Sequence, residues 1–164
     1  MKHKTERPRK TLYIFRGGIL LAGILFITIL AGCPNAGLTP EGPSYAQVAF
    51  GELNAWLQEK PVGGPYYIEV TGLTAADLKG SDSSASPLGD IFKSNPIKFV
   101  ALKLPANVEG LTNMTGCFDT CTSLVSVQAI PAGVTHMLQC FKDCDNLVSV
   151  QAIPASANNM RACF

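Results

Sequence analysis

Two stretches of this chain are copies of one another. Met114 to Ala132 reads MTGCFDTCTSLVSVQAIPA, Met137 to Ala155 reads MLQCFKDCDNLVSVQAIPA, and a third copy opens at Met160 with MRACF. Met114, Met137 and Met160 lie 23 residues apart, as do Cys117, Cys140 and Cys163, and Phe118, Phe141 and Phe164. Cys121 and Cys144, Leu124 and Leu147, Val127 and Val150, and Ile130 and Ile153 keep the same step. A unit this short cannot enclose its own apolar residues. It buries them only by stacking on the next copy, so equivalent positions are expected to form ladders.

A period of about 20–29 residues is that of leucine-rich-repeat coils. The expected fold class is therefore α/β: a leucine-rich-repeat solenoid of 23-residue units over 108–164, two complete and a third truncated. The open first coil of such a stack needs a cover. Residues 44–107 supply one, read as a small α-β-α-β N-terminal capping module. Ser44 with Gln47 resembles a capping box. Phe50, Leu53 and Leu57, with Ala49 and Trp56 alongside, give one apolar face to a helix of about four turns within YAQVAFGELNAWLQEK. The alternation in YYIEVTG predicts a strand. Thr74 and Asp77 predict a helical turn, and Ser86-Pro87 starts a second short helix that Pro96 ends. IKFVALKLP predicts another strand, with Val100, Leu102 and Leu104 leading the repeat sheet and the Phe50/Trp56 face closing its end.

Much of the 47% hydrophobic content sits near the N-terminus. The basic start MKHKTERPRK precedes an apolar run of 16 residues, Gly17 to Gly32. That is short for a membrane span, which takes about 20 residues, and fits the charged and apolar regions of a signal peptide. The run ends in Leu30-Ala31-Gly32-Cys33, which resembles a bacterial lipobox. Residues 1–32 are read as a lipoprotein signal peptide, Cys33 as the lipidated first residue, and 33–43, rich in Pro and Gly, as a tether. Residues 1–32 hold six Lys/Arg and one Glu, whereas 33–164 hold seven basic and eleven acidic residues, a net of −4. The processed chain carries no basic cluster for a phosphate backbone, so nucleic-acid binding is excluded.

The repeat cysteines, Cys117, Cys121, Cys140, Cys144 and Cys163, have spacing that suggests thiolate zinc. Recurrence at one repeat position favours stacked core residues instead. A disulfide between adjacent coils is the other reading, in an exported compartment that permits it. His136, four residues before Cys140, invites a thiol-protease reading. It shares its slot with Asn113 and Asn159 and is better read as a surface position. Asn113-Met114-Thr115 matches a glycosylation acceptor by chance. No catalytic residue, metal site or cofactor is expected. Leu124, Val127 and Ile130, with Leu147, Val150 and Ile153, should point into the core. Ser126, Gln128, Ser149 and Gln151 are then the candidate protein-binding face, in small uncharged rows that lack an aromatic or arginine anchor.

The motif N-M-x-x-C-F-x-x-C-x-x-L-x-x-V-x-x-I-P, from Asn113 to Pro131 and again from His136 to Pro154, resembles BspA-type leucine-rich-repeat surface lipoproteins of host-associated bacteria. PYYIEVTGLTAADL and NPIKFVALKLP resemble the lead-in of such proteins. The resemblance implies a curved right-handed solenoid and adhesion to host or microbial surface proteins. The expected function is a non-enzymatic binding module, lipid-anchored at Cys33 in the cell envelope, at the outer membrane or cell surface. The alternative is a structural, periplasm-facing envelope lipoprotein with no host ligand, a truncated gene product. Self-association through the open C-terminal coil at Phe164 is a further expectation.

Overall fold

The computed structural model describes residues 42–164. The expected signal peptide, Cys33 and nearly all of the expected tether lie outside the described residues. Five strands form one sheet in the order β1-β2-β3-β4-β5, each parallel to its neighbour. They are β1 (Ala46–Ala49), β2 (Gly63–Thr71), β3 (Lys98–Lys103), β4 (Leu124–Val127) and β5 (Ser149–Val150). Two short helices, α1 (Leu53–Glu59) and α2 (Pro87–Lys93), lie on the crossovers that lead to β2 and β3. Parallel neighbours need a crossover between them, and all five strands run in one direction.

Helix α1 is shorter than the four turns expected. Ala46 to Ala49 is a strand, a 3-10 turn covers Phe50–Glu52, and the helix begins only at Leu53. The capping box at Ser44 therefore does not form, and the N-terminal module runs β-α-β-α-β rather than α-β-α-β. The physical reason is the bare edge of β2, whose unpaired amides and carbonyls are best satisfied by another strand. β1 meets that need over four residue pairs, Ala46 with Ile68 through Ala49 with Thr71. The apolar face of the helix is retained: Leu53 and Leu57 are fully buried, and Phe50 and Trp56 pack half-buried against the core.

The other local signals hold. The Thr74 side chain and the Asp77 carboxylate form a reciprocal capping box on the turn Ala75–Leu78. Ser86 caps α2, its Oγ accepting from Gly89 N at 3.1 Å, with Pro87 in the first turn. The Ser86 hydroxyl also donates to the Cys117 carbonyl at 2.9 Å, so the cap ties α2 to the first repeat unit. Val100, Leu102 and Leu104 are buried, and β3 pairs directly with β4 through Val100–Leu124 and Leu102–Val127.

Within 108–164 successive units run side by side in register. Met114 N donates to His136 O at 2.8 Å, Phe118 N to Cys140 O at 2.8 Å and Phe141 N to Cys163 O at 2.8 Å. Asn113, His136 and Asn159 form consecutive parallel bridges. The phenylalanines stack as a column: Phe118 on Phe141 at 5.4 Å and Phe141 on Phe164 at 5.6 Å between ring centres. Phe92 of α2 begins the column, 6.2 Å from Phe118. The N-terminal module thus contributes its own aromatic to the ladder it covers. Full burial of each such ring is worth about 1.5–3 kcal/mol, and a stacked pair adds about 0.5–1.5 kcal/mol.

The expected burial holds in one copy and fades in the next. Leu124, Val127 and Ile130 are buried, whereas Leu147 and Val150 are half-buried and Ile153 is 36% exposed. These last three sit on the outermost rung, and among the described residues no further rung covers them. A ladder position is dry only between two neighbours.

Candidate interaction face

One face of the sheet carries the core, and the other is open. Ile68, Val70, Val100, Leu102, Leu124 and Val127 point inward and are buried. Side chains alternate along a strand, so Tyr67, Glu69, Lys103, Ser126 and Gln128 belong to the open face, with Ala101 on the same side but covered by its neighbours and buried. Parallel register arranges them in rows across the strands. Tyr67 stands beside Ala101, Ala101 beside Ser126 and Ser126 beside Ser149. Gln47 stands beside Glu69 and Glu69 beside Lys103. Gln128 and Gln151 follow Val127 and Val150, which are themselves paired, and extend that second row.

All four residues expected on the binding face are therefore brought together. Gln128 and Gln151 are exposed, while Ser126 and Ser149 are half-buried between their neighbours. Toward the strand ends the face hollows into a groove of about 600 Å³. Glu69, Lys103, Gln128 and Gln151 supply its polar groups, and Leu104, Ala106, Ala129 and Ala152 its apolar lining. The Lys103 ammonium lies 3.0 Å from the Glu69 carboxylate. The pair neutralises itself and presents donors and acceptors in place of net charge.

The face is not as bare of anchors as the repeats alone suggested. Tyr45 and Tyr67 meet edge to face, 5.5 Å between ring centres, at the head of the serine row. Lys103 Nζ lies 5.9 Å from the Tyr45 ring centre. Partial burial and the neighbouring Tyr67 hold the Tyr45 phenol above its ordinary pKa, with Lys103 opposing, so it keeps its hydroxyl proton. The repeats alone define only the serine and glutamine rows, and the helix-like spacing around Ala46–Ala49 hides the strand that sets Tyr45 beside Tyr67. Carrying the alternation of IKFVALKLP and YYIEVTG across the sheet would have found Lys103, Glu69 and Tyr67.

The remaining candidates have structural surroundings. Cys117, Cys121, Cys140 and Cys163 are buried thiols, and Cys144 is half-buried. Burial pushes the Cys144 thiol up to about 11, and pushes Cys121, Cys140 and Cys163 up as well. Such protonated thiols are weak nucleophiles and poor metal ligands. Among the described residues no group of three or more His, Cys, Asp or Glu is arranged to hold a metal ion. His136 is exposed and its Nδ1 shares a 2.8 Å hydrogen bond with the Thr135 hydroxyl. Its parallel bridges to Asn113 and Asn159 place it in the variable surface slot expected. The Asn113 side chain accepts from Thr115 N at 2.8 Å, which gives the Asn-x-Thr sequence a turn-forming role. Cys33 lies outside the described residues. No helix among the described residues is long and apolar enough to cross a membrane. Comparison of the chain with protein-family models, curated proteins and solved structures gives no significant match.

Proposed function

We propose that this chain is a lipid-anchored, leucine-rich-repeat binding protein of the BspA type, without enzymatic activity, that holds protein ligands on the open face of its sheet. The observation that carries the reading is the continuity of that face. The Glu69–Lys103 pair and the Gln128/Gln151 row line one groove, and Tyr45 and Tyr67 stand together on the same face beside them. Tyrosine supplies rigid contact area at small entropic cost, and amides adapt their hydrogen bonds to either donors or acceptors. This suits an extended polypeptide whose backbone amides need partners. It does not suit bond-breaking chemistry, since the face carries no nucleophile with a base beside it. The 23-residue ladder, the aromatic column and the resemblance in NMxxCFxxC support the solenoid reading. The lipobox-like Leu-Ala-Gly-Cys33 supports the anchor.

The test is attachment of cells carrying the full chain to immobilised extracellular-matrix protein. Tyr67→Ala, and Gln128→Glu with Gln151→Glu, should each reduce attachment while circular dichroism stays unchanged. Each copy binds weakly, so attachment relies on many anchored copies acting together. Unchanged attachment in both variants refutes the assigned face. Complete protection of the protein from protease added to intact cells refutes the surface location and favours the periplasm-facing alternative.

A further inference from the structure

One pair in the cysteine ladder is open to solvent at one end. The units keep register on both sides of Cys121 and Cys144. Before them, Phe118 N donates to Cys140 O at 2.8 Å and Thr120 N to Lys142 O at 2.7 Å. After them, Ser126 pairs with Ser149 and Val127 with Val150. Cys121 and Cys144 are therefore level with one another on adjacent rungs. Parallel neighbours lie about 4.8 Å apart, inside the Cα separation of about 4.4–6.8 Å that a disulfide can bridge. The sulfurs lean the same way. Cys144 Sγ donates to Phe118 O at 2.9 Å, and the same carbonyl accepts from Cys121 N at 3.1 Å, so Cys144 reaches back onto the turn that carries Cys121. Cys121 Sγ lies 3.4 Å from Gly89 O of α2, and rotation about its Cα–Cβ bond turns it toward Cys144.

Access singles out this pair. Cys117, Cys121, Cys140 and Cys163 are buried, and among the described cysteines Cys144 alone is half-buried. It lines a surface hollow of about 290 Å³ with Phe141, Asp143, Asp145 and Leu147. Lys142 lies 2.9 Å from the Asp143 carboxylate and 3.5 Å from that of Asp119. Three carboxylates against one ammonium favour a cationic visitor.

We propose that Cys144 and Cys121 form a thiol–disulfide exchange site, in which Cys144 takes up a small cationic disulfide from solution and Cys121 displaces it, leaving a bond between adjacent rungs. The Cys144 proton passes to solvent, and its sulfur attacks one sulfur of the incoming disulfide, whose first half leaves as a thiol. Cys121, losing its own proton, then attacks the Cys144 sulfur and releases the second half as a thiol. Two protein thiols are oxidised to one disulfide, and the incoming disulfide is reduced to two thiols. Burial holds the Cys144 thiol up at about 11, with the Cys121 amide opposing and Asp119, Asp145 and Asp143 adding to it. The thiolate is thus scarce at neutral pH, and exchange is slow there. The product closes a 23-residue step of the chain and fastens the outermost rung, whose Leu147 and Val150 are only half-buried, to the rung before it. The exchange uses neither the anchor at Cys33 nor the open face of the sheet.

The full chain, reduced and then freed of reductant, is exposed in its folded state to cystamine, quenched in acid, alkylated and digested. Trypsin cuts at Lys103, Lys142 and Arg161, which leaves Cys121 and Cys144 on different peptides. The expected product is that peptide pair joined through Cys121 and Cys144, formed about tenfold faster for each pH unit between about 7 and 9. Cys121→Ala should halt at the first step, with cysteamine retained on Cys144, and Cys144→Ala should leave Cys121 unreacted, circular dichroism being unchanged in both. Folded protein whose Cys144 stays unmodified, while denatured protein reacts, overturns the site. Cysteamine retained on Cys144 of the unaltered protein, or Cys144 joined to Cys117 or Cys140, overturns Cys121 as its partner.

Discussion

Gly116 is where the N-terminal module touches the first repeat, and replacing it by alanine separates two costs. Its slot recurs as Gln139 and Ala162, and all three residues are left-handed, with φ of 60°, 53° and 49°. The repeat thus imposes the backbone conformation and tolerates side chains at the later copies. Gly116 differs in its neighbour: a Cβ there would lie 2.1 Å from the Ser81 carbonyl oxygen and 3.1 Å from that of Ser84. Gly80 N donates to Thr115 O at 3.0 Å beside it, and Ser81 N to Ser84 O at 2.9 Å. The loop would have to move by about an ångström, with loss of both hydrogen bonds at about 1 kcal/mol each. The left-handed backbone adds about 1–2 kcal/mol for any side chain. Gly116→Ala should therefore cost about 3–4 kcal/mol. At roughly 4 °C per kcal/mol for a domain of this size, Tm should fall by about 12–16 °C. Gly110→Ala is the matched control, since Gly110 has φ of 71° and nothing within 4 Å of the added Cβ. It bears the backbone cost alone, about 1–2 kcal/mol. Calorimetry of both variants beside the parent measures the difference. Equal losses would refute the close seating of the Ser81–Ser84 loop on the first repeat.

Other outcomes follow from the same packing. Phe118→Ala opens a hole in the middle of the aromatic column and should cost about 3–5 kcal/mol by chemical denaturation, whereas Cys140→Ala should cost only about 1 kcal/mol. Ser86→Ala removes a buried helix cap and the bond to the Cys117 carbonyl, and should lower stability by about 1–2 kcal/mol. The thiols give a pH dependence with a defined sign: Cys144 is raised from an ordinary value of 9.0 to about 11 when folded, so unfolded chains release the proton first. Stability should be full below about pH 9 and fall as pH rises toward about 11, read as denaturation midpoints across that range. On the proposed anchor, Cys33→Ala should abolish lipid attachment and stall cleavage after Gly32, and a variant that is still cut and still lipid-anchored refutes the lipidation of Cys33.

The repeat registered in the sequence because identical residues at a fixed step can satisfy one another only by stacking. Phe118, Phe141 and Phe164 do so, and the cysteines beside them are buried. Ser86-Pro87 and Thr74/Asp77 were legible because a cap is a contact over three residues, decided locally. The fate of Ala46–Ala49 was not legible. Its apolar spacing suits a helix, and only the open edge of β2, brought alongside by the fold, makes it a strand. The same step hid half of the candidate face: the serine and glutamine rows came from strand alternation, but the tyrosines join them only through parallel register across β1, β2 and β3. Gly116 makes the distinction at a single residue. The chain alone shows a glycine where its copies have Gln139 and Ala162, and the reason, the Ser81 carbonyl pressed against it, exists only once residues far apart in sequence are packed together.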